Sequence, residues 1–332
     1  MSDNKNILVI QTAFIGDLIM STSIFPALKE IFPKSTIDVV TIPASSIILK
    51  NNPYVNNLFT FDKKNTFKSK INSFFDLVKI LKSNKYDIGI SIQHSFTSSL
   101  LMLLSNIKYK VGNQRMKFVD RNIQIPKGLH NKDRVLSLLK AFTDKEFDNS
   151  TEIYFNNKID IKNQLIKNNK KNICVAPGSV RKTKKLPTNK YIEIINNLTD
   201  YNIYLIGANN EKIICDEILY NVSHENIVNF VGEFNLLESA ELIKHSDLLL
   251  CNDSAPLHIG NAVNTTVFAF FGPTVKRFGC YPYREKDQMI EVDLDCRPCG
   301  KHGSNKCPLG HHRCMNDIKV EDVINKVNNL LG

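Results

Sequence analysis

The chain has 332 residues, more than a single core usually organises and enough for two α/β domains. Hydrophobic residues make up 42% and charged residues 23%, which excludes a disordered or fibrous chain. The balance of 43 Lys and Arg against 33 Asp and Glu leaves +10, which fits a polyanionic partner: nucleic acid, an anionic membrane surface or a phosphorylated substrate. No zinc finger or ribonucleoprotein aromatic pair accompanies the charge, so nucleic acid is not the expected partner. The first residues, MSDNK, carry no secretory signal, and no apolar run approaches the ~20 residues a membrane span needs. The expectation is a soluble, cytoplasmic protein.

Residues 6–11 (NILVIQ) are short, apolar and β-branched, which predicts a buried parallel strand. A polar turn over 12–17 leads to a helix over 18–32, with Leu18, Ile19, Ile24, Phe25, Leu28 and Ile31 at helical spacing and Pro33 as its stop. A strand at 36–41, a helix ending near Leu81, a strand at 88–92 and a helix at 97–105 follow. The polar, poorly periodic stretch 144–170 predicts the exit from a first domain, taken as 1–165. Alternation restarts with strands at 173–176, 203–206, 247–251 and 266–271, and helices at 190–198, 212–220, 236–244 and 256–263. These form a second domain, 166–315. A closing helix at 320–331, within 316–332, is expected to pack back toward the first domain. The fold class is therefore α/β, with two Rossmann-like domains, parallel sheets and a cleft between them. Ligands in such sheets bind at the carboxyl ends of the strands.

Three motifs fall at those ends. The first, Thr12-Ala13-Phe14-Ile15-Gly16-Asp17, has one glycine where a dinucleotide fingerprint needs three, so a nicotinamide cofactor is not expected. It offers a carboxylate, Asp17, at a helix start, although capping is the commoner duty of an Asp there. The second, residues 176–187 (APGSVRKTKKLP), follows a strand with a Gly-Ser turn and cations, able to cradle a phosphate through N–H groups, hydroxyls and Lys. Its alternative is a solvated basic loop. The third, Asn252-Asp253-Ser254-Ala255-Pro256-Leu257-His258, precedes a helix whose N-terminus suits a diphosphate, with Asp253 placed for sugar hydroxyls. Its alternative is a capping Asp253 or Ser254 and a packed His258.

The ordered set resembles glycosyltransferase family 9, the ADP-heptose:lipopolysaccharide heptosyltransferases. The opening strand, Gly-Asp turn and apolar helix run from Ile7 to Pro33. The Pro-Gly-Ser loop runs from Pro177 to Pro187, with Leu186 where Trp is usual. The Asp-Ser-x-x-x-His and Phe-Gly-Pro-Thr segments run over 253–258 and 271–274, with Ala255 where Gly is usual. The resemblance spans nearly the whole chain and implies a GT-B fold with inverting, metal-independent transfer. It implies Asp17 as general base and Lys184 as the cation on the leaving diphosphate, assisted by Ser179 and the helix start at Ser254 and Ala255. Asp253 and His258 would serve the donor sugar side, Glu211 the ribose hydroxyls and Phe234 the adenine. Gly16 and Ser95, the latter in the segment Gln93-His94-Ser95-Phe96-Thr97-Ser98-Ser99, fall on the acceptor side; a helix cap is the alternative for Ser95. No cofactor is implied beyond the donor, ADP-heptose.

Of eight cysteines, Cys174 and Cys251 fall in apolar strands and read as core thiols. Cys296, Cys299, Cys307 and Cys314 form a cluster that suggests a structural zinc in a reducing compartment, although the spacing from Cys307 to Cys314 departs from a standard zinc pair. The same segment resembles the tail of heptosyltransferase II-like members. Asp293-Leu294-Asp295 is formally a metal-binding D-x-D pair but lies outside every motif of the family. The expected function is heptose transfer to the phosphorylated inner core of lipopolysaccharide, at the inner face of the inner membrane. Rivals are another nucleotide sugar or a protein acceptor, a nucleotide-sugar epimerase, and a silent sugar-nucleotide-binding module.

Overall fold

A computed structural model describes residues 4–62, 67–156 and 161–332. Residues 1–3 of the start, and 157–160 of the expected interdomain stretch, lie outside the described residues. The chain divides into two compact units between Tyr154 and Phe155.

In the first unit the strands β1 (Asn6–Ile10), β2 (Thr36–Thr41), β3 (Asn57–Thr60), β4 (Ile88–Ser91), β5 (Tyr109–Asn113) and β6 (Arg121–Ile123) form one sheet in the order β3-β2-β1-β4-β5-β6. Every pairing is parallel, with Ile7 opposite Ile37 on one side and Ile88 on the other. Ile7, Leu8, Val9 and Ile10 are fully buried, as a central strand covered on both faces requires. The helices are α1 (Ile15–Ser21), α2 (Ile24–Ile31), α3 (Pro43–Ser46), α4 (Phe67–Ser83), α5 (Phe96–Leu104) and α6 (Asn131–Leu136). Leu77 and Leu81 of α4 and Leu101 and Met102 of α5 close over Leu8 and Ile10 in one core.

The single helix expected over 18–32 is two helices broken at Thr22 and Ser23. Pro26 has no N–H to give to the Thr22 carbonyl, and Phe25 N–H takes that carbonyl at 3.2 Å in a tighter turn. The Thr22 hydroxyl then accepts the Glu152 N–H at 2.8 Å, tying the end of the first unit to this break.

The second unit repeats the plan. Strands β7 (Asn172–Ala176), β8 (Asn202–Leu205), β9 (Ile227–Asn229), β10 (Leu248–Asn252), β11 (Thr266–Phe271) and β12 (Gln288–Glu291) are ordered β12-β11-β10-β7-β8-β9, all parallel. Counted within each unit and read from the third strand, both sheets run 3-2-1-4-5-6, so each has its topological switch between its first and fourth strands. The helices are α7 (Thr188–Asn196), α8 (Lys212–Asn221), α9 (Leu236–Lys244), α10 (Ala255–Ala262), α11 (Arg313–Asn316) and α12 (Val320–Leu331).

The division at 154/155 precedes the boundary expected at 165/166. Residues that compose like a linker are held to the second sheet: Ile161 is buried, Ile166 N–H reaches the Tyr204 hydroxyl at 2.9 Å, and Asn168 exchanges amide bonds with Asn202. The closing helix α12, expected to pack toward the first domain, lays Val320, Val323 and Val327 into the second unit's core and packs on α7. Among the described residues no helix is long and apolar enough to cross a membrane.

Candidate active site

The second unit carries a polar cluster built from loops at the carboxyl ends of β7, β8, β10 and β11. Lys184 Nζ pairs with Asp253 Oδ2 at 2.6 Å, the two side chains being 15% and 5% exposed. The same oxygen accepts the Thr274 hydroxyl at 2.6 Å. Two groups that the sequence assigns to separate tasks, the leaving diphosphate and the donor sugar, thus stand side by side, with Thr274 of the Phe-Gly-Pro-Thr segment as their third member. Asp253 heads no cap: Ser254 occupies the N-cap of α10 without a side-chain capping bond, and its hydroxyl turns to the Gly178 carbonyl at 3.4 Å. Ala255 opens α10, and His258 lies one turn on, nearly fully buried.

Asn252 fixes the loop that carries Lys184. Its amide donates to Pro177 O at 2.8 Å and its oxygen accepts Leu186 N–H at 2.9 Å, so one buried side chain holds both ends of the loop. Leu186, standing where the family usually has Trp, is buried. Between these anchors Ser179 is buried, while Arg181 and Lys182 are exposed. Of the four cations the loop offers, Lys184 is the one drawn inward to a carboxylate.

Glu211 brings the β8 loop to the same place. Its Oε2 accepts Ala208 N–H at 2.9 Å, and its Oε1 would lie 1.7 Å from a Cβ built on Gly178. Only glycine lets the Glu211 carboxylate approach that backbone. If Glu211 holds the ribose as the resemblance implies, Gly178→Ala is expected to displace it and raise the KM for donor by about tenfold or more, with a smaller effect on the KM for acceptor; steady-state kinetics with each substrate varied checks it. Phe234 is half-buried and stacks on Phe230, ring centroids 4.4 Å apart, and Phe230 stacks in turn on Tyr204. A two-ring stack supporting Phe234 is a firm base for a planar ligand.

The first unit places Asp17 at the carboxyl end of β1, in the first turn of α1. The N-cap is Phe14, so Asp17 is not the cap that its position suggested. Gln11 and Ser21 donate to its main-chain oxygen, at 3.4 and 2.6 Å, which fixes the backbone beneath it. Gly16 precedes it in the same turn. The Thr12 hydroxyl donates to Gln93 Oε1 at 3.2 Å and joins this turn to the loop after β4, where Ser95 lies. Ser95 itself is the N-cap of α5, accepting Ser98 N–H at 3.0 Å. The capping reading of Ser95 is the one this geometry displays.

Cys174 and Cys251 are fully buried in β7 and β10, and burial pushes both thiols well above their usual range. Cys296, Cys299, Cys307 and Cys314 form no disulfide, and among the described residues no group of three or more His, Cys, Asp or Glu side chains is arranged to hold a metal ion. The four C-terminal cysteines that suggested zinc differ in burial: Cys314 is in the hydrophobic core, its thiol raised to about 11 by burial first and by the neighbouring cysteines after it, while Cys299 is exposed and turns to the Cys296 carbonyl at 3.3 Å. Backbone N–H groups of residues 309–312 favour the Cys307 thiolate and lower its pKa.

Sequence reasoning placed Asn252 and Thr183 inside the motifs, and Arg297 and His312 inside the Cys-rich tail, without giving any of the four a task. Only the dense Cys-Pro-Gly-His composition of the tail marked part of that region as unusual.

The sequence model of glycosyltransferase family 9 (heptosyltransferase) matches residues 74–309. A lipooligosaccharide heptosyltransferase 2 of Campylobacter jejuni is 25% identical over 325 residues, covering 96% of each chain. Among solved structures, a family 9 glycosyl transferase of Veillonella parvula superposes with a TM-score of 0.86 at 21% identity, over 100% of this chain and 98% of that one. The ADP-heptose lipopolysaccharide heptosyltransferase II of Escherichia coli superposes with a TM-score of 0.80 at 22% identity, over 98% of both. These two share the fold, two Rossmann-like units of the GT-B type. The chain belongs to glycosyltransferase family 9, the heptosyltransferase family, and is a glycosyltransferase.

Proposed function

We propose that this enzyme transfers heptose from ADP-L-glycero-D-manno-heptose to the inner core of lipopolysaccharide, with inversion at the anomeric carbon and without a metal ion. The observation that carries the reading is the Lys184–Asp253–Thr274 cluster beside the start of α10. A sugar diphosphate leaves as an anion, and its departure needs positive charge at the oxygens that gain charge. Lys184 and the N–H groups of α10 supply that charge from the protein, the part a divalent ion plays elsewhere. Asp253, ion-paired and hydrogen-bonded, holds Lys184 in place and offers its carboxylate to donor hydroxyls. Glu211 serves the ribose and Phe234 the adenine.

Asp17 completes the chemistry as general base. It takes the proton from the acceptor hydroxyl as that oxygen attacks the anomeric carbon, while the bond to ADP breaks on the opposite face. Gly16 and Ser95 border the acceptor side. Incubating the enzyme with several radiolabelled nucleotide sugars, heptose-deficient lipopolysaccharide and a chelator tests the whole reading. Label should move from ADP-heptose alone, and chelator should not stop it. Transfer from another nucleotide sugar, or label isomerised with no acceptor present, would reject it.

The +10 charge then has a use at the inner face of the inner membrane, where each basic residue near an anionic surface adds about 1 kcal/mol of attraction. Peripheral binding to vesicles containing anionic lipid is expected at low salt and should be lost as salt is raised, measured by co-sedimentation. Equal binding to neutral vesicles would reject an electrostatic contact.

A further inference from the structure

We infer that Arg297 and His312, on the Cys-rich segment before α12, are positioning residues that set the donor site by gripping the backbone of the two loops bearing Lys184 and Thr274. The inference rests on the donor-site reading above and assigns a task to a segment that reading leaves idle.

His312 Nε2 bonds to the Thr183 carbonyl at 2.9 Å, one residue before Lys184. Thr183 is held again from the same segment: its N–H and hydroxyl both donate to Ser304 O, at 3.1 and 2.8 Å, and its hydroxyl accepts Ser304 N–H at 2.9 Å. Gly303 runs against the Lys184 side chain, where an added Cβ would meet Lys184 Cγ at 3.1 Å. Arg297 grips the other loop. Its guanidinium, 5% exposed, donates to the carbonyls of Gly272, Thr274 and Val292 and pairs with Glu291. Cys299 N–H adds a bond to Pro273 O at 3.1 Å. The three carbonyls of the Gly272-Pro273-Thr274 turn are therefore all held from this segment, and Thr274 passes that placement to Asp253 through its hydroxyl.

Attachment of the tail to the domain does not require these two side chains. Cys314 and Met315 already seat the segment in the second unit's core, followed by Ile318 and Val320. His312 moreover adopts φ +49, the left-handed region that a residue with a Cβ enters at a cost, and from there its ring reaches Thr183. A side chain held in strained backbone and aimed at the residue beside the lysine is what positioning predicts and simple anchoring does not.

The test measures ADP affinity by calorimetry, KM and kcat with ADP-heptose, and melting temperature for His312→Gly, His312→Gln and Arg297→Lys. Arg313→Ala, which breaks only an exposed ion pair with Asp317, is the control. His312→Gly removes the ring and relieves the backbone together, so its melting temperature should stay near that of the parent while ADP affinity falls and the donor KM rises by about tenfold. His312→Gln, with an N–H at similar reach, should recover most of the loss. Arg297→Lys keeps the charge but not the three-carbonyl fork, and should raise the donor KM at least as much. Unchanged ADP affinity and donor KM in His312→Gly and Arg297→Lys, or a fall in melting temperature with the KM intact, would overturn the inference. A parent enzyme that binds no ADP would instead overturn the donor-site reading on which it rests.

Discussion

Asp17→Asn is expected to lower kcat by about 10²–10⁴ while ADP affinity stays at the parent value. The substitution keeps shape but removes the negative charge and with it the capacity to accept a proton. Asp17 lies in the first turn of α1, where the helix dipole favours a negative charge by a few tenths to about 1 kcal/mol, a contribution the substitution removes. Every proposed donor contact is on the second unit, which gives the prediction its selectivity: kcat falls, and donor binding does not follow. Single-turnover transfer together with ADP calorimetry measures both halves. Parent-like turnover in Asp17→Asn would remove the base from the mechanism, whatever else survives.

Lys184→Ala is expected to cost two things that can be separated. Transfer should fall by about 10²–10³ in kcat/KM, the scale set by removing one preorganised group from developing negative charge. Stability should fall as well, because Asp253, 5% exposed, would keep the Thr274 hydroxyl but lose its cation. Removing one partner of a buried pair costs ~3–5 kcal/mol, and the 15% exposure of Lys184 puts this pair near the lower end. The double substitution Lys184→Ala with Asp253→Asn leaves no buried charge unpaired, so much of the stability should return while activity does not. Denaturant melts and initial rates on the two single variants and the double variant close the cycle. If the double variant regained activity along with stability, Lys184 would be a structural cation only.

The central strands were legible because the apolar runs 7–10, 173–176 and 248–251 are buried throughout and interrupted by nothing polar. The flanking strands β3, β6, β9 and β12 lie at sheet edges, β3 and β9 only partly buried, and carry no such run, so periodicity did not announce them. The break between α1 and α2 was marked by Pro26, but the apolar spacing on both sides of it reads as one continuous stripe. The stretch 144–170 contains the division at 154/155, and the boundary drawn within it at 165/166 falls later for a different reason. Asn and Lys look the same in a loop and in a hydrogen-bonded seam, and the pairing of Asn168 with Asn202 spans 34 residues. At the site, residues defined by motif were found singly, whereas their relationships were not. Nothing in the spacing of Lys184, Asp253 and Thr274 says that they meet, because three separate strands deliver them. Asn252 and His312 act on backbone atoms, which no side-chain pattern encodes.

The tether that Asn252 throws across its loop also decides where this loop is free to diverge. Residues 177 and 186 are locked to one amide, Thr183 is locked by the tail, and Gly178 has room for a Cβ only where Glu211 moves away. Val180, Arg181 and Lys182 point outward between those fixed points. Substitutions can therefore accumulate over three consecutive positions without moving the lysine, which leaves a short stretch of surface beside the proposed donor site open to retuning.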